Sequence, residues 1–476
     1  MPKKIIFCSD GTWQHQDEPK PSKNTNIAKL PALIDQTEQV VIYDDGVGVE
    51  FPELLGGAMG VGLFGKVKQG YAQISAVYAP GDRLYFFGFS RGGFTARALA
   101  GMVSIFGLPT KLPPGDPSET AKEVAEKAFA AYQNVLLRDE LKKELVPFAP
   151  EIPAIAMQGI FDTVGSLGIT GPLFGIKDPL VYGFLDTDLY PNTEAACHAL
   201  AIDERRMEFK PTLWHSTVAP DQFLLQVWFT GVHSEIGGGS DETGLSDITL
   251  GWMLKNAETR GLALTPAADQ YRAIDPGSAL IPMKDSWSIL WAFPERRTIP
   301  ADATIANSTA IRLADDATYR PSNLRVDANG TLNPSYTIEP VIAEPTLAKG
   351  IEIPANSPRF DTHIDIQTAK TYTFTASGIW VDKTPPGVTA DGVEHPGFPR
   401  DAVGFLKKMR QANWMALIGR VDSGDWFLIG SQATFTNLPA GRLYCCANDA
   451  PGFYGNNQGT LRLDVEVVPA AAGAAG

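Results

Sequence analysis

The sequence predicts an α/β protein with a mostly parallel sheet, followed by a separate all-β sandwich domain. Before about residue 340, strand-like runs alternate with helix-like runs, which is typical of a parallel sheet covered by helices. Within this part, a Gly-x-Ser-x-Gly turn at Gly88–Gly92 joins a buried strand directly to a helix. After that point, short alternating runs are separated by turns rich in Pro, Gly and Asn, which indicates a β-sandwich.

Length, composition and charge limit the number of domains and the classes of partner that the chain can have. The chain has 476 residues, 44% hydrophobic and 20% charged, as expected for a soluble protein of two domains. No apolar run approaches the roughly 20 residues of a membrane helix, and a net charge of −14 disfavours nucleic acid as a partner. We expect an α/β domain at 1–332, a linker at 333–346, a sandwich domain at 347–468 and a disordered tail at 469–476.

The N-terminus and the cysteines point to a cytoplasmic origin. Met-Pro-Lys-Lys leads directly into a strand-like run, which leaves no room for a signal peptide. The four cysteines form no disulfide framework, so we expect reduced thiols in the core or half-buried. They are Cys8, Cys197, Cys445 and Cys446.

Five strands and three main helices are predicted in the first domain. The strands are Lys4–Cys8, Val40–Tyr43, Arg83–Phe87, Ala154–Ile160 and Leu224–Phe229. The helices are Lys66–Tyr78, Ser118–Leu136 and Leu245–Thr259, with a shorter helical run at Thr193–Ala201. In the second domain, alternating segments such as 371–375 and 460–467 predict strands.

The segment from Leu84 to Gly93 is the most informative one in the chain. An apolar strand runs into Gly88-Phe-Ser-Arg-Gly, and helix-like sequence follows from Phe94. This strand–turn–helix context is typical of a nucleophile elbow, in which the turn demands small neighbours such as Gly88 and Gly92. Ser90 is therefore the predicted nucleophile, and the alternative is a plain tight turn.

A serine nucleophile requires a base, and His233 is the predicted one. It follows the strand Leu224–Phe229 and precedes a glycine-rich loop, which is where a hydrolase sheet presents its histidine. His198, in the predicted helical run, and His215, beside Trp214, are expected to be packed or capping residues.

The base requires an orienting acid, and Asp162 is the best candidate. It follows the strand Ala154–Ile160, at the carboxyl end where open α/β sheets place their sites. Asp203 and Asp221 also lie between the serine and the histidine, but neither follows a convincing strand. The order serine, aspartate, histidine is that of the α/β-hydrolases. A turn-forming or capping role is the alternative for Asp162.

Oxyanion donors are expected at two places. One is the amide of Arg91, and the other is the loop after the first strand, which contains Gly11 and Thr12. Asp10 is expected to orient this loop through side-chain hydrogen bonds, and a simple Asx-turn is the alternative.

Seven motifs resemble the α/β-hydrolase family that includes phospholipase effectors of bacterial type VI secretion, over about residues 3–325. The resemblance implies a triad of Ser90, Asp162 and His233, ester hydrolysis with phospholipid cleavage in the studied branch, and export by a contractile secretion apparatus. The motifs are Cys8-Ser-Asp-Gly-Thr-Trp, Tyr43-Asp-Asp-Gly-Val-Gly, Gly88-Phe-Ser-Arg-Gly-Gly-Phe-Thr-Ala-Arg, Phe161-Asp-Thr-Val-Gly-Ser, Ile202-Asp-Glu-Arg-Arg, Trp228-Phe-Thr-Gly-Val-His-Ser-Glu-Ile-Gly-Gly-Gly and Tyr319-Arg-Pro-Ser-Asn-Leu.

The loop from Asn448 to Asn457 concentrates hard oxygen donors. It contains the Asp449 carboxylate, several amides and free carbonyls in a glycine-rich stretch. Such a set suits calcium, although an Asn/Gly-rich turn with local hydrogen bonds explains the composition equally well.

The second domain also resembles the calcium-dependent, galactose-binding lectins of the PA-IL type, over about residues 347–468. The similarity includes Glu394-His-Pro and Asn448-Asp-Ala-Pro-Gly-Phe-Tyr-Gly-Asn-Asn. It implies that sugar hydroxyls bind the calcium directly and that galactose-type glycans are partners. The implied calcium ligands are the side chains of Asp449, Asn456 and Asn457, the carbonyl of Phe453 and a carbonyl near Asp382. The implied sugar contacts are His395, Asp449 and Asn456, with Phe398 in place of a glutamine and Phe453 in place of a threonine.

Two functional classes stay open. The first is a serine esterase or lipase that its lectin domain docks on glycan-bearing surfaces, and the second is a lectin with an inactive hydrolase scaffold. The complete triad in the expected order favours the enzyme. Lipid or phospholipid acyl esters are the first substrate hypothesis, and carbohydrate acetyl esters are the second because the appended domain points to carbohydrate.

Overall fold

The computed structural model describes most of the chain and divides it into two units. The units are Met1–Ile342 and Ala343–Gly476. The described residues are 2–11, 25–46, 58–112, 116–164, 189–215, 220–284, 294–327, 330–342, 346–367, 370–394, 397, 401–436 and 438–468.

The first unit is built on an eight-stranded sheet. Its strand order is β10-β9-β8-β7-β6-β3-β1-β2, and each of these neighbouring pairs is parallel. A small antiparallel pair, β4 and β5, lies outside the sheet. The strands are β1 Lys4–Ser9, β2 Gln39–Asp44, β3 Arg83–Phe89, β4 Leu108–Pro109, β5 Pro150–Glu151, β6 Ile155–Phe161, β7 Ala195–Ala201, β8 Phe223–Phe229, β9 Thr304–Ala306 and β10 Thr337–Glu339.

Helices cover both faces of this sheet. Successive side chains of a strand point to opposite faces, so Phe7 and Phe86 enter one core with α2, α3 and α4, while Cys8 and Phe87 enter the other with α1 and α7. Burial on both faces explains why the central strands are apolar throughout. The helices are α1 Asn26–Leu33, α2 Ala58–Val77, α3 Arg91–Phe106, α4 Pro117–Gln133, α5 Arg138–Leu141, α6 His233–Gly237, α7 Gly244–Thr259 and α8 Asn307–Asp315.

The second unit is a sandwich-like pair of antiparallel four-stranded sheets. Their orders are β11-β18-β13-β16 and β12-β17-β14-β15. Alternate residues of β13, such as Phe374, point into the common core, whose largest member is Trp380. The strands are β11 Thr346–Pro354, β12 Phe360–Ile366, β13 Thr371–Asp382, β14 Leu417–Val421, β15 Phe427–Leu428, β16 Gln432–Thr436, β17 Gly441–Ala447 and β18 Asn457–Val468.

The predicted fold class is confirmed in both units. The five predicted strands of the first unit are present with their ends moved by one or two residues, and the helix predicted from Lys66 begins earlier, at Ala58. The four cysteines are buried and free, as expected.

One element was predicted wrongly. The run Thr193–Ala201 was expected to be helical, but Ala195–Ala201 forms β7, paired in parallel with β6 and β8 at the centre of the sheet. In a short run that is buried on both faces, apolar and polar residues do not alternate with a regular period. The pattern of such a run therefore cannot distinguish a strand from a helix.

The segment predicted as a linker, 333–346, contains regular structure. Thr337–Glu339 is the edge strand β10, which pairs with β9 and belongs to the first unit. The tail at 469–476 lies outside the described residues.

Candidate active site

Ser90 stands at a sharp turn between β3 and α3. Its backbone has φ 56° and ψ −124°, values that a non-glycine residue adopts only under constraint. A Cβ on Gly88 would lie 2.5 Å from the Gly92 carbonyl oxygen, and a Cβ on Gly92 would lie 2.1 Å from the Ser9 carbonyl oxygen. Both glycines are therefore required by close backbone approach, as the elbow motif predicts.

His233 and Asp162 are joined by a short hydrogen bond. His233 Nδ1 lies 2.6 Å from Asp162 Oδ2, and both side chains are buried. Asp162 follows β6 with φ 39°, and His233 begins α6 after the loop that leaves β8. The arrangement places an acid and an imidazole at the carboxyl ends of two strands, as the sequence predicts.

The same pair lies next to the serine turn. The ring of Phe89, the residue before Ser90, is 4.7 Å from the His233 imidazole, centroid to centroid. The Ser90 amide donates to the Phe161 carbonyl at 3.1 Å, directly before Asp162. The three residues predicted as a triad therefore lie at the same end of the sheet.

Asp162 has hydrogen-bond partners in addition to His233. Arg297 Nη1 donates to Oδ1 at 2.5 Å and Nη2 donates to Oδ2 at 2.9 Å, while the Ala201 amide donates to Oδ1 at 2.9 Å. Burial alone would raise the pKa of this carboxyl, but the Arg297 charge and the hydrogen bonds from His233 and Arg297 hold the pKa well below its usual range. The environment of Asp162 therefore favours the carboxylate anion.

A second carboxylate supports the His233 main chain. Glu204 Oε2 accepts from the His233 amide at 3.2 Å, and Arg206 binds Glu204 through Nε at 2.9 Å and Nη2 at 2.8 Å. Burial opposes the charge on Glu204, yet the hydrogen bond and charge of Arg206 lower its pKa to about 2. The Arg206 guanidinium in turn lies 3.6 Å from the centre of the Phe209 ring.

The imidazole of His233 is enclosed by aromatic rings. Phe209 packs against it edge-on at 4.8 Å, in addition to Phe89. Burial lowers the pKa of His233, although Asp162 and Glu204 favour its protonated form. The ring is therefore neutral near neutral pH, the state in which it can accept a proton.

Asp10, which directly follows β1, has several hydrogen-bond donors around its carboxylate. Asp10 is buried and accepts hydrogen bonds from Thr25 Oγ1 at 2.5 Å, Tyr43 OH at 2.9 Å and the Gly11 amide at 2.7 Å. Burial raises its pKa to about 6 in spite of these three donors.

The oxyanion positions stay predictions. The Gly11 amide donates to Asp10 Oδ1 at 2.7 Å, and a Cβ on Gly11 would lie 3.5 Å from the Ser90 Cβ. Thr12 lies outside the described residues. The Arg91 amide is at the first position of α3, where N–H groups have no partner inside the helix.

His198 is packed in the core, as predicted, although it lies on strand β7 and not on a helix. Its Nε2 accepts from the Thr163 amide at 3.3 Å, and its ring packs edge-on against Trp214. Burial and the nearby Arg97 charge lower its pKa to about 3, so it is neutral. Asp203, the other buried candidate acid, accepts from the Gly231 amide and the Tyr319 hydroxyl rather than from a histidine.

In the second unit, the residues predicted to bind calcium meet at the ends of β13 and β18. Asn457 Nδ2 donates to Asp449 Oδ2 at 3.0 Å, and Asn456 Nδ2 donates to Asp382 Oδ1 at 3.0 Å. The Oδ1 atoms of Asn456 and Asn457 are buried and have no hydrogen-bond partner among the described residues. His395 and Phe398, the predicted sugar contacts, lie outside those residues.

Two features are absent from the described parts of the chain. No cluster of three or more His, Cys, Asp and Glu side chains suited to a metal occurs there. None of the helices in these parts combines the length and the apolarity needed to cross a membrane.

The sequence alone does not identify Arg297 and Glu204 as site residues. Glu204 lies inside the motif Ile202-Asp-Glu-Arg-Arg, whose pattern indicates no chemical role for it. Arg297 lies 135 positions after Asp162 in a segment without regular secondary structure, so neither spacing nor period indicates it.

The first unit matches a known family. A family model described as "T6SS, Phospholipase effector Tle1-like, catalytic domain" matches residues 3–256. The uncharacterized protein YEL023C of Saccharomyces cerevisiae is 32% identical over 241 residues, which is 44% of this chain and 32% of that protein. The chain thus spans about a third of the length of the curated relative.

Solved structures show distant similarity to each unit. An uncharacterized protein from Pseudomonas aeruginosa is 17% identical with a TM-score of 0.39, covering 59% of this chain and 50% of its own. A structure of the Tle1 effector bound to the VgrG spike of a type VI secretion system is 18% identical with a TM-score of 0.29, covering 50% and 51%. The N-terminal domain of EclA, described as a PllA-like lectin, is 16% identical with a TM-score of 0.21, covering 26% of this chain and 98% of its own.

Proposed function

Since residues 3–256 make up more than half of the chain, it belongs to the Tle1-like family of type VI secretion phospholipase effectors, and we propose that it hydrolyses carboxylic esters through Ser90, His233 and Asp162. The observation that carries the proposal is the 2.6 Å hydrogen bond between His233 Nδ1 and Asp162 Oδ2, beside the strained turn at Ser90. An imidazole fixed in this way presents its Nε2 atom as a base.

The reaction follows from these positions. His233 Nε2 accepts the proton of the Ser90 hydroxyl as its oxygen attacks the ester carbonyl, and Asp162 stabilises the resulting imidazolium. The Arg91 amide, at the positive end of α3, donates to the oxyanion. His233 then gives the proton to the departing alcohol, and a water molecule activated by the same imidazole releases the acid from Ser90.

Lipid or phospholipid acyl esters are the proposed substrates. The family match supports a phospholipase. The runner-up is a carbohydrate acetyl ester, favoured by the lectin-like second unit. A lectin with an inactive hydrolase unit is the remaining alternative, and the hydrogen bond between His233 and Asp162 opposes it.

A substrate panel separates these hypotheses. Wild type and Ser90→Ala would be assayed on p-nitrophenyl esters of graded chain length, on phospholipid vesicles and on acetylated glycans. Release of fatty acid by wild type and not by Ser90→Ala supports the proposal. Activity confined to acetylated glycans would favour the runner-up, and no activity on any ester would favour the inactive scaffold.

For the second unit, we propose calcium-dependent glycan binding at the ends of β13 and β18. The support is the pair of buried Oδ1 atoms of Asn456 and Asn457, which lie beside two carboxylates and find no hydrogen-bond partner in the described part of the chain. A buried amide oxygen without a partner costs free energy, and a hard cation such as Ca²⁺ would satisfy it. The donor set therefore fits the ion.

The proposed ligands are those that the lectin resemblance implies. They are the side chains of Asp449, Asn456 and Asn457, the carbonyl of Phe453 and a carbonyl near Asp382. The bound ion would supply coordination sites for sugar hydroxyls. The Phe453 side chain is 58% exposed next to this site and offers an apolar surface to a glycan of the galactose type.

Calorimetry tests the calcium proposal. Wild type is expected to bind Ca²⁺ and to bind galactosides only in its presence, whereas Asp449→Ala loses both. Asp425→Ala, which removes an exposed carboxylate of the same unit, is the matched control and should behave as wild type. Galactoside binding that persists in EDTA would contradict the calcium-bridged mechanism.

Family membership also supports a delivery route. We propose export by a type VI secretion system, in line with the Tle1 effector that was solved in complex with a VgrG spike. Secretion of the tagged chain from a host with and without a functional contractile sheath tests this route.

A further inference from the structure

Asp162, the acid of the candidate triad, accepts hydrogen bonds from a buried arginine in a distant part of the chain. Arg297 is 4% exposed, and its two terminal nitrogens donate to the two oxygens of Asp162 at 2.5 and 2.9 Å. This is the bidentate geometry in which a guanidinium binds a carboxylate most strongly. It also fixes the rotation of the carboxylate plane.

Arg297 also binds backbone carbonyls, one of which belongs to a residue that packs against the His233 imidazole. Nη1 donates to the Ala201 carbonyl at 3.0 Å, and Nη2 donates to the Phe209 carbonyl at 2.6 Å. The Phe209 ring packs against His233. One side chain thus holds both the carboxylate that binds His233 Nδ1 and the backbone of a residue that encloses the imidazole.

We propose that Arg297 is a positioning residue for the hydrolysis: it keeps Asp162 ionised and in one orientation, and it thereby fixes His233 for proton transfer with Ser90. The proposal rests on the function proposed above. Arg297 acts through Asp162 and Phe209, and none of its contacts with the described residues involves the reacting atoms.

The electrostatic reason lies in the burial of the site. Asp162 is completely buried, and a carboxylate in such surroundings takes up a proton unless a charge compensates it. His233 supplies one hydrogen bond, but it is neutral at rest. The guanidinium therefore provides the positive charge that keeps the carboxylate ionised and opposes proton uptake by the Asp162–His233 pair.

Three variants test the proposal in the full-length protein. Arg297→Gln removes the charge and the paired donors, and Arg297→Lys keeps the charge without the paired geometry. Arg312→Gln is the matched control, because Arg312 is 5% exposed and donates to the carbonyls of Ala279 and Ile281 rather than to the triad. All would be compared for kcat/KM against pH and for the NMR titration of the His233 imidazole.

Arg297→Gln should lose roughly 10- to 100-fold in kcat/KM at neutral pH, because a misplaced base costs about this much. Loss of the positive charge favours proton uptake by the Asp162–His233 pair, so the acid limb of kcat/KM and the His233 titration should both move to higher pH. Arg297→Lys should keep the acid limb of wild type with a several-fold lower kcat. Arg312→Gln should lower the melting temperature and leave the pH profile unchanged.

A folded Arg297→Gln protein with the His233 titration and the pH profile of wild type would overturn the proposal. If Arg297→Gln does not fold, Arg297→Lys with wild-type kcat would overturn it instead. If the proposed hydrolase function is itself wrong, wild type would hydrolyse no ester, or Ser90→Ala would remain active. In that case the His233 titration would still show whether Arg297 controls the protonation of the Asp162–His233 pair.

Discussion

At the residue scale, burial and neighbouring charges shift the pKa values of Asp162, His233 and Glu204 in opposite directions. Burial lowers the pKa of His233, while the Arg297 charge outweighs burial at Asp162 and keeps that carboxyl ionised. Glu204 follows the same rule through Arg206. The combination is a neutral imidazole hydrogen-bonded to a carboxylate anion, which a general base requires.

The pH dependence of kcat/KM follows from the His233 environment. The base must be neutral to accept a proton, so the rate should rise with pH through the pKa of His233 and then level off. Because burial lowers that pKa, the acid limb should lie below the ordinary histidine value of about 6.5. Rates on a soluble chromogenic ester between pH 4 and pH 9 measure it, and a midpoint above that value would contradict the account.

Asp162→Asn should lose about 10⁴-fold in kcat, because an amide cannot hold the imidazole in the required tautomer. Asp221→Asn is the matched control, since Asp221 is exposed and lies in the same interval of the chain. Steady-state rates on the same ester compare the two variants. An Asp162→Asn protein within tenfold of wild type would show that another group orients His233.

At the element scale, close packing of backbone sets the shape of the elbow. The N-terminus of α3 approaches the end of β1 so closely that Gly92 leaves no space for a methyl group. The same approach brings the β1 loop beside Ser90, where a Cβ on Gly11 would lie 3.5 Å from the serine Cβ. The active-site edge therefore depends on contacts between elements that are far apart in sequence.

Gly92→Ala should destabilise the protein by about 1–3 kcal/mol, as overpacking of a rigid core does, and should lower ester hydrolysis by displacing Ser90. Gly65→Ala is the control on the neighbouring helix α2. An added Cβ there meets no atom within 4 Å, so it should stabilise the helix by up to about 1 kcal/mol. Denaturant unfolding and activity assays compare them, and equal stability of both variants would contradict the packing argument.

The sequence predicted elements whose pattern is local and missed those that depend on tertiary contacts. Strands β1, β3 and β6 were recognisable because apolar runs end in turn residues, and Ser90, Asp162 and His233 were recognisable because each follows such a strand. The short strands β9 and β10, with three residues each, carry too little pattern to be predicted. Arg297 has no local signal at all, since its role arises only when the chain brings it to Asp162.

At the scale of the whole molecule, the chain carries two units with separate cores and separate candidate sites. The triad residues belong to the first unit and the proposed calcium ligands belong to the second. A lectin unit would raise the concentration of the hydrolase near a glycan-bearing surface without changing its chemistry.

Asp449→Ala should therefore separate the two activities. It should lower hydrolysis of glycolipid-containing vesicles to the level of wild type in EDTA, while hydrolysis of a small chromogenic ester stays unchanged. Fatty-acid release and chromophore release measure the two reactions in parallel. An equal loss on both substrates would show that the second unit supports the first structurally, and the targeting proposal would then fail.

The central claim is that Ser90 is a nucleophile activated by His233 and Asp162. Its most direct test is labelling of the native protein with a serine-reactive fluorophosphonate, followed by mass spectrometry of the modified peptide. Wild type should be labelled at Ser90 alone, Ser90→Ala should not be labelled, and His233→Ala should react far more slowly. Labelling elsewhere, or Ser90 that reacts equally fast without His233, would contradict the claim.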